Sequence, residues 1–248
     1  MTIRAIITGH SRGIGAALAE ALLAQGVAVL GLARASNDEL AERYPDLLSQ
    51  AGLDLADSRV LARWLDESDM LLRFLAGADQ AILINNAGTL HPMGAPGLPQ
   101  GHLQIAQAVS LNVTAPLMLT DAFVSLTSGV ADRRVLHLSS GAGRAPYAGW
   151  SVYGATKAAL DLHARAVQLD KVPGLRVASV APGVVDTAMQ AEIRGSSETA
   201  FPGKARFDAL KRDGALADPQ VVAQQMVRYL LSADFGQEPV ADLRSLPR

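Results

Sequence analysis

The sequence of 248 residues contains no cysteine, and its charges almost balance, with 22 basic and 24 acidic side chains. Without cysteine, the chain can form neither a disulfide framework nor a thiolate metal site, which fits a reducing compartment. A formal charge of −2 gives no basic surface to attract nucleic acid or an anionic membrane. We therefore expect a cytoplasmic protein with a small-molecule partner, no nucleic acid and no membrane.

Long apolar runs and metal-ligand clusters are also scarce. The apolar N-terminus, residues 1–8, is too short for a signal-peptide core, and no uncharged apolar run approaches the roughly 18 to 20 residues of a membrane-spanning helix. No two of the five histidines have zinc-site spacing beside a third ligand, so we predict no metal. His10 lies in a glycine-rich turn, and the other histidines are interpreted as packing or surface residues.

Short β-branched or apolar runs alternate with longer segments of helical periodicity. The runs predict strands at 3–8, 27–32, 81–85, 135–139 and 177–180. The longer segments predict helices at 13–25, 57–76, 102–127, 151–170 and 218–232. This alternation predicts an α/β fold, a Rossmann-type doubly wound parallel sheet flanked by helices, in a single domain over 1–248. Residues 186–219 break the alternation, and we interpret this polar loop as a substrate lid.

The turn after the first predicted strand reads Thr8-Gly9-His10-Ser11-Arg12-Gly13-Ile14-Gly15 and opens the first helix. Glycines permit a tight turn and let the backbone approach a pyrophosphate, while the helix N-terminus offers unpaired N–H donors. The turn therefore predicts dinucleotide binding. The alternative is an ordinary glycine-rich connection between strand and helix.

This glycine spacing resembles that of the short-chain dehydrogenase/reductase family, and further landmarks agree over essentially the whole chain. They are the pair Asp54-Leu55, the run Asn85-Asn86-Ala87-Gly88, and Pro182-Gly183 with Thr187 shortly after. The resemblance implies a nicotinamide cofactor. The residues expected to bind it are Gly9, Ser11, Arg12, Gly13, Ile14, Gly15, Arg34, Asp54, Leu55, Asn86, Ala87, Gly88, Tyr153, Lys157, Pro182, Gly183, Val185 and Thr187.

The segment after the second predicted strand bears on which cofactor binds. An NAD-selective site places an acidic residue there to bind the ribose hydroxyls, but Gly31-Leu32-Ala33-Arg34-Ala35 contains none. The guanidinium of Arg34 suits a 2′-phosphate, and Arg12 can add a second cation. We therefore predict NADP(H). The alternative is that both arginines are solvated surface residues.

Tyr153 and Lys157 are four residues apart in a predicted helix, so their side chains share one face. An alkoxide formed by carbonyl reduction needs a proton, and a tyrosine with a pKa near 10 is slow to exchange one at neutral pH. A lysine charge about 5 Å away lowers a phenol pKa by roughly two units. We therefore expect Tyr153 to be the general acid. The alternative is a tyrosine with only a packing role.

Two more residues complete the catalytic set that the resemblance implies. Ser140 precedes Tyr153 by thirteen residues, the interval typical of the family's catalytic serine. Its neighbour Ser139 points to the other side of the strand. Asn112 resembles the family asparagine that interrupts a helix and supports a water-mediated proton path to the lysine. The alternative for Asn112 is a helix-surface or capping residue.

A narrower resemblance, to the sepiapterin reductase and bacterial benzil reductase branch, is carried by residues 139–153, 181–190 and 211–216. It implies reduction of carbonyls, often vicinal dicarbonyls on a planar frame. Tyr147, Trp150 and Phe201 are candidates for flat apolar walls, or else core residues. Asp242 is a candidate match to the aspartate that holds the pterin, or else a solvated acid at a strand end.

Two other functions compete with carbonyl reduction. A non-catalytic NADP(H)-binding regulatory module would keep the fold but needs no tyrosine–lysine pair. An extended epimerase or dehydratase uses such a pair but needs a larger C-terminal substrate domain. The resemblance and the long apolar helices at 102–127 and 151–170 also predict a homodimer or homotetramer.

Overall fold

The computed structural model describes residues 1–97 and 101–246. Within these ranges, seven parallel strands form one sheet in the order β3-β2-β1-β4-β5-β6-β7. The strands are β1 Ile3–Thr8, β2 Ala28–Ala33, β3 Leu48–Gly52, β4 Gln80–Asn85, β5 Asp132–Leu138, β6 Leu175–Ala181 and β7 Val240–Asp242. Their order and direction confirm the predicted doubly wound sheet.

Helices cover both faces of this sheet. They are α1 Gly13–Leu23, α2 Asp38–Arg43, α3 Ser58–Glu67, α4 Met70–Leu75, α5 His102–Val109, α6 Ala115–Leu126, α7 Ser151–Leu169, α8 Ala188–Gly195, α9 Lys204–Arg212 and α10 Pro219–Leu231. The helix predicted over 57–76 is divided, because the chain leaves the helical conformation at Ser68 and α4 begins again at Met70.

Alternation along the strands divides the core into two layers. On β1, Ala5 and Ile7 pack with α1 and α10, whereas Ile6 packs on the opposite face with α3, α4 and α6. On β4, Ile82 and Ile84 belong to the first layer, and Ala81 and Leu83 belong to the second. Successive side chains of a strand point to opposite faces, so a strand covered on both faces reads as a continuous apolar run.

Two strands and the short helix α2 were not predicted, nor were α8 and α9, which are described below. β3 has the sequence LSQAG, which contains no β-branched or aromatic residue, and only Leu48 of it is buried. β7 has three residues, Val240–Asp242, which are too few to show the two-residue alternation of a strand. The short α2 is stabilised at its N-terminus by Asn37, whose side chain accepts a hydrogen bond from Leu40 N–H.

The segment 186–219 was predicted as a loop, and this prediction was wrong. It contains α8 and α9, and apolar residues at helical spacing explain why. Met189 and Ile193 of α8, and Phe207 and Leu210 of α9, pack on the aromatic cluster around Trp150. Polar residues on the outer faces of these helices hid the periodicity.

The chain from His102 to Leu126 is continuous helix, with one π-helical turn at Ser110–Thr114. By length and hydropathy alone this 25-residue helix could cross a membrane, although polar side chains and Asp121 interrupt its apolar residues. Such a test is weak for a single helix, because core helices also pass it. Leu119 and Phe123 are fully buried against the sheet, and we interpret the helix as a core helix.

Candidate active site

The carboxyl ends of the central strands meet at one pocket, as expected for a parallel sheet whose connections reverse direction at β1 and β4. Thirteen of the predicted site residues line it. These are Ile14, Asn86, Gly88, Ser140, Tyr147, Trp150, Tyr153, Lys157, Pro182, Gly183, Val185, Thr187 and Asp242. The other predicted site residues do not line it: Gly9, Ser11, Arg12, Gly13, Gly15, Arg34, Asp54, Leu55, Ala87 and Asn112.

The glycine turn after β1 requires glycine for two physical reasons. Gly9 and Gly13 have φ angles of +70° and +58°, a region that disfavours other residues. A β-carbon on Gly15 would lie 2.1 Å from the carbonyl oxygen of Gly9, so only a hydrogen fits there. A β-carbon on Gly13 would meet only the Thr187 methyl group, at 3.8 Å. The turn is therefore tight on its protein side and open on the other, which fits a pyrophosphate at the N-terminus of α1.

Thr8 joins this turn to the end of β4, a role that the sequence did not indicate. Its Oγ1 accepts hydrogen bonds from the backbone N–H groups of Asn86 (2.9 Å) and Ala87 (3.0 Å). In return, Asn86 Nδ2 donates to the carbonyl oxygens of Thr8 (2.9 Å) and Gly9 (3.2 Å). The run Asn86-Ala87-Gly88 is thus fixed against the turn.

His10 lies beneath the turn and does not line the pocket. It is fully buried, and its Nε2 lies 2.6 Å from Gln50 Oε1. A β-carbon on Gly31 would lie 2.3 Å from the His10 ring, so Gly31 provides the space that the ring occupies. Burial lowers the pKa of His10, although the Gln50 contact opposes this. We assign it a packing role that fixes the turn onto β2 and β3.

The residues predicted to select the cofactor lie at the rim of the turn. Arg12 precedes α1, Arg34 follows β2, and both are exposed. Within residues 1–97 and 101–246, neither has an acidic partner within salt-bridge distance. Leu55 is buried and Asp54 is exposed, its Oδ1 accepting from Ala56 N–H at 3.0 Å. Ser11 is half-buried in the turn.

Tyr153 and Lys157 lie on the face of α7 that borders the pocket, and both are buried. The Lys157 ammonium donates to the carbonyl oxygen of Leu138 at 2.7 Å and lies 5.8 Å from the centroid of the Tyr153 ring. Burial lowers the pKa of Lys157 to about 8, with Asp161 opposing the shift.

The expectation that Lys157 lowers the pKa of Tyr153 is not met in this structure. Burial raises that pKa, and the nearby Ser140 hydroxyl opposes the change. The reason is desolvation: the phenol is enclosed in the pocket, and water cannot solvate a phenolate there. Tyr153 is consequently protonated at neutral pH, the state that a proton donor requires.

The two adjacent serines both line the pocket, but their side chains have different partners. Ser140 lies beside Tyr153, and its Oγ accepts a hydrogen bond from Ala142 N–H at 3.2 Å. Ser139 instead donates from Oγ to the buried carboxylate of Asp161 at 2.7 Å. The carboxylate therefore engages the Ser139 hydroxyl and leaves Ser140 as the serine nearer to Tyr153.

Asn112 occupies the π-helical turn and is fully buried. Its Oδ1 accepts from Thr89 N–H at 2.9 Å, and its Nδ2 donates to Thr89 O at 2.9 Å and Thr156 Oγ1 at 3.0 Å. A β-carbon on Gly88 would lie 3.3 Å from Asn112 Oδ1 and 3.6 Å from Lys157 Nζ. Asn112 thus joins the strand connection after β4 to α7, beside Lys157. It is neither a surface nor a capping residue.

Comparisons with known proteins agree with this geometry. Residues 4–198 match the model of the family described as short chain dehydrogenase. The chain belongs to the short-chain dehydrogenase family. It is 36% identical over 242 residues to a benzil reductase ((S)-benzoin forming) of Bacillus cereus, covering 95% of this chain and 96% of the relative. It is 33% identical to the sepiapterin reductase of Mus musculus, covering 93% and 92%.

A solved short-chain dehydrogenase/reductase from Burkholderia vietnamiensis is 46% identical to this chain. The superposition has a TM-score of 0.71 and covers 99% of this chain and 98% of the other. Like its family, this short-chain dehydrogenase is an oxidoreductase that uses a nicotinamide cofactor. In the part of the chain that the structure describes, no cluster of three or more potential metal ligands occurs.

The loop after β6 closes the cofactor side of the dehydrogenase pocket. Gly183 has a φ of +85°, and a β-carbon there would lie 3.2 Å from Cδ of Arg244. Val185 is buried and bridges to Ala217, and Thr187 is the residue before α8. The Thr187 side chain caps no helical N–H group in the described structure, and its hydroxyl donates a long hydrogen bond to the carbonyl oxygen of Val185, at 3.5 Å.

An aromatic cluster forms the opposite wall. Trp150 stacks on Phe201 with ring centroids 4.4 Å apart and 14° between the planes. Phe201 is fully buried and does not line the pocket, so it supports the wall as a core residue. Trp150 and Tyr147 do line it. The buried Nε1 of Trp150 has no hydrogen-bond partner among the described residues.

Asp242 reaches the pocket but is already paired. Arg244 donates to its carboxylate from Nε (2.9 Å), Nη2 (2.7 Å) and the backbone N–H (3.0 Å). The hydrogen bonds from Arg244 hold the pKa of Asp242 below its ordinary value. Sequence reasoning did not find Arg244, although a basic residue two positions after the acid was visible.

Proposed function

We propose that this short-chain dehydrogenase reduces a ketone or vicinal dicarbonyl to the alcohol with NADPH, and that Tyr153 donates the proton. The observation that carries the proposal is the buried, protonated Tyr153, which lines one pocket together with Ser140 and Lys157. A benzil reductase and a sepiapterin reductase, both carbonyl reductases by name, are similar over more than nine-tenths of the chain.

A reduced nicotinamide, when bound, supplies the hydride that the carbonyl carbon accepts. The chain's own residues handle the oxygen and the proton. The Ser140 hydroxyl holds the carbonyl oxygen, and Tyr153 donates its proton to that oxygen as negative charge develops. Lys157 stabilises the resulting phenolate by its charge. Asn112 supports the path by which a proton returns to Lys157.

NADPH is the proposed cofactor because of the residues that follow β2. No acidic side chain follows β2 between Gly31 and Ala35, so a 2′-phosphate meets no repulsion there. Arg34 and Arg12 are exposed cations without acidic partners among the described residues, and both are free to bind a phosphate. The other proposed cofactor contacts are the glycine turn, Asp54, Leu55, residues 86–88 and residues 182–187.

The substrate proposed for this pocket is flat and carries two adjacent oxygens. Tyr147 and Trp150 provide aromatic surface, and the unpaired indole N–H of Trp150 is a donor for the second oxygen of a vicinal dicarbonyl. A pterin is less well matched, because Arg244 already occupies the Asp242 carboxylate. The segment 186–219 remains the proposed lid, now as helices α8 and α9 over the pocket.

The test follows the absorbance of NADPH and NADH with benzil and with sepiapterin. We expect turnover of benzil with NADPH, and slower turnover with NADH. An enzyme that binds NADPH but reduces nothing in a wide panel of carbonyls would instead be a regulatory module. Equal or better use of NADH would contradict the cofactor proposal and leave the reaction intact.

We also propose a cytoplasmic homodimer or homotetramer. Helices α5, α6 and α7 expose large apolar side chains, including Leu103 (71% exposed), Leu162 (66%) and Leu169 (78%). A second copy of the chain would cover them. Size-exclusion chromatography of Leu162→Glu tests this, with Leu72→Glu on α4 as the control because Leu72 is also exposed (53%). Only the first variant is expected to dissociate, and a monomeric wild type would contradict the proposal.

A further inference from the structure

Asp161 continues the reactive face of α7. Tyr153, Lys157 and Asp161 are spaced by four residues, so their side chains follow one another along the helix. Asp161 is only 5% exposed and does not line the pocket. The proposed reaction assigns no role to this buried carboxylate.

The carboxylate collects hydrogen bonds from several elements. Its Oδ1 accepts from Ser139 Oγ and Ser179 Oγ, both at 2.7 Å, and its Oδ2 accepts from Arg144 Nε at 3.0 Å. Arg144 also donates from Nη2 to the carbonyl oxygen of Ala241 at 2.9 Å. Asp161 therefore ties the ends of β5 and β6, and through Arg144 that of β7, to α7.

Arg144 ends the short turn that begins at Ser140. This turn lies directly on α7, because a β-carbon on Gly143 would lie 2.9 Å from the carbonyl carbon of Lys157. A β-carbon on Gly154 would likewise lie 2.9 Å from the carbonyl oxygen of Ala142. The turn is held by backbone contact in its middle and by the ion pair at its end. A shift of Arg144 would move Ser140 relative to Tyr153.

We propose that Asp161, together with Arg144, is a positioning residue of the active site. The pair holds the Ser140 turn against α7, and the carboxylate keeps a negative charge one helical turn beyond Lys157. The kinetic part of this inference rests on the proposed carbonyl reduction. The structural and electrostatic part does not.

The charge effect has a defined sign. Burial lowers the pKa of Lys157 to about 8, and Asp161 opposes this. Removing the Asp161 charge should lower the pKa of Lys157 further. Removing the Arg144 cation should raise it, because the carboxylate then acts on Lys157 without a counter-ion.

The other groups around Lys157 do not reverse the direction of these two pKa changes. His137 on β5 is fully buried, and its pKa falls to about 3, mainly through burial, so it stays neutral above pH 5. Tyr153 is protonated, since burial raises its pKa. Asn112 and Gly88 carry no charge. Asp242 is paired with Arg244.

The direct test is an NMR titration of the free protein labelled with ¹³C-lysine. The chain has four lysines, Lys157, Lys171, Lys204 and Lys211. A Lys157→Arg variant identifies the Lys157 signal by its loss. We expect Asp161→Asn to lower the pKa of Lys157 by about one unit and Arg144→Met to raise it by roughly half a unit. Asp170→Asn, an exposed acid just after the same helix, is the control and should leave it unchanged.

The kinetic test measures kcat/KM for NADPH-dependent benzil reduction against pH. The alkaline limb should move to lower pH in Asp161→Asn and to higher pH in Arg144→Met, and kcat should fall about tenfold or more in both as Ser140 shifts. If Asp161 and Arg144 had only a structural role, both variants would lower activity and Tm, but the alkaline limb of the pH profile would not move in opposite directions.

Thermal unfolding identifies a variant that fails to fold. If Asp161→Asn fails to fold, Asp161→Glu and Arg144→Met decide. Asp161→Glu keeps the charge and should keep the pKa of Lys157. An unchanged pKa of Lys157 in Arg144→Met, or shifts of the same sign in both charge-removing variants, would overturn the inference. Absence of reductase activity in the wild type would contradict the proposed function and leave the NMR result standing.

Discussion

The ammonium of Lys157 donates a hydrogen bond to the carbonyl oxygen of Leu138, at 2.7 Å, at the end of β5. This bond connects α7 to the strand that leads into Ser140, and it fixes the lysine charge beside Tyr153 before any ligand binds. A buried ammonium with such a partner is already oriented, so little reorganisation is needed when charge develops on the phenol.

Replacing Lys157 by methionine should keep the packing and remove the charge. A charge about 6 Å from the ring, at an effective dielectric near 20, stabilises the phenolate that forms when Tyr153 gives up its proton by roughly 3 kcal/mol. We expect kcat/KM for carbonyl reduction to fall about 100-fold, measured by NADPH absorbance. Lys171→Met is the control, since Lys171 is exposed, and it should behave as wild type. Wild-type activity in Lys157→Met would show that the charge has no role.

Arg34→Ala should weaken NADPH binding and spare NADH binding. A guanidinium paired with a phosphate contributes about 1.5 to 3 kcal/mol, so the Kd of NADPH should rise about 10- to 100-fold. Fluorescence titration with both cofactors measures the change. Arg59→Ala, another exposed arginine, is the control. Equal weakening for NADH and NADPH would mean that Arg34 does not bind the 2′-phosphate.

Gly15→Ala should prevent formation of the cofactor turn. The added β-carbon would lie 2.1 Å from the Gly9 carbonyl oxygen, so the backbone must move. We expect loss of NADPH binding and a lower Tm. Gly52→Ala is the matched control, because a β-carbon there meets nothing within 4 Å. It should leave Tm unchanged or raise it slightly. Tight NADPH binding by Gly15→Ala would contradict the described turn.

Asn112→Ala should destabilise the protein as well as slow it. The substitution removes three hydrogen bonds and leaves the partly buried backbone N–H and carbonyl oxygen of Thr89 without these partners, and each unsatisfied group costs about 1 to 3 kcal/mol. A loss of about 2 to 4 kcal/mol in the free energy of unfolding is expected from urea denaturation. Gln107→Ala, exposed on α5, should change it by less than about 0.5 kcal/mol. Equal stability of both variants would contradict the buried role.

Local patterns in the sequence were enough for five of the seven strands and for the glycine turn. The strand ending at Thr8 is a mostly apolar run, which predicts a strand buried on both faces. The glycines after it predict a tight turn, because glycine adopts positive φ angles without steric cost. Ser140 was chosen over Ser139 because its interval of thirteen residues to Tyr153 is typical of the family. In each case the determining residues lie close together in the chain.

Other features depend on contacts between distant segments. The role of Thr8 appears only when β1 lies beside β4, and the pairing of Arg144 with Asp161 only when the Ser140 turn lies on α7. The pKa of Tyr153 was predicted with the wrong sign, because the sequence shows the nearby lysine and does not show how deeply the phenol is buried. Helices α8 and α9 were missed because their apolar residues pack on Trp150, far away in the sequence.

The central claim is that Tyr153 donates the proton. Tyr153→Phe keeps the ring, whose centroid lies 5.4 Å from that of Trp150, and removes only the hydroxyl. The measurement is NADPH-dependent benzil reduction by wild type and Tyr153→Phe, with the Kd of NADPH determined for each. The account predicts that kcat/KM falls about 10²- to 10⁴-fold while the Kd changes less than about threefold. Undiminished turnover in Tyr153→Phe would contradict it.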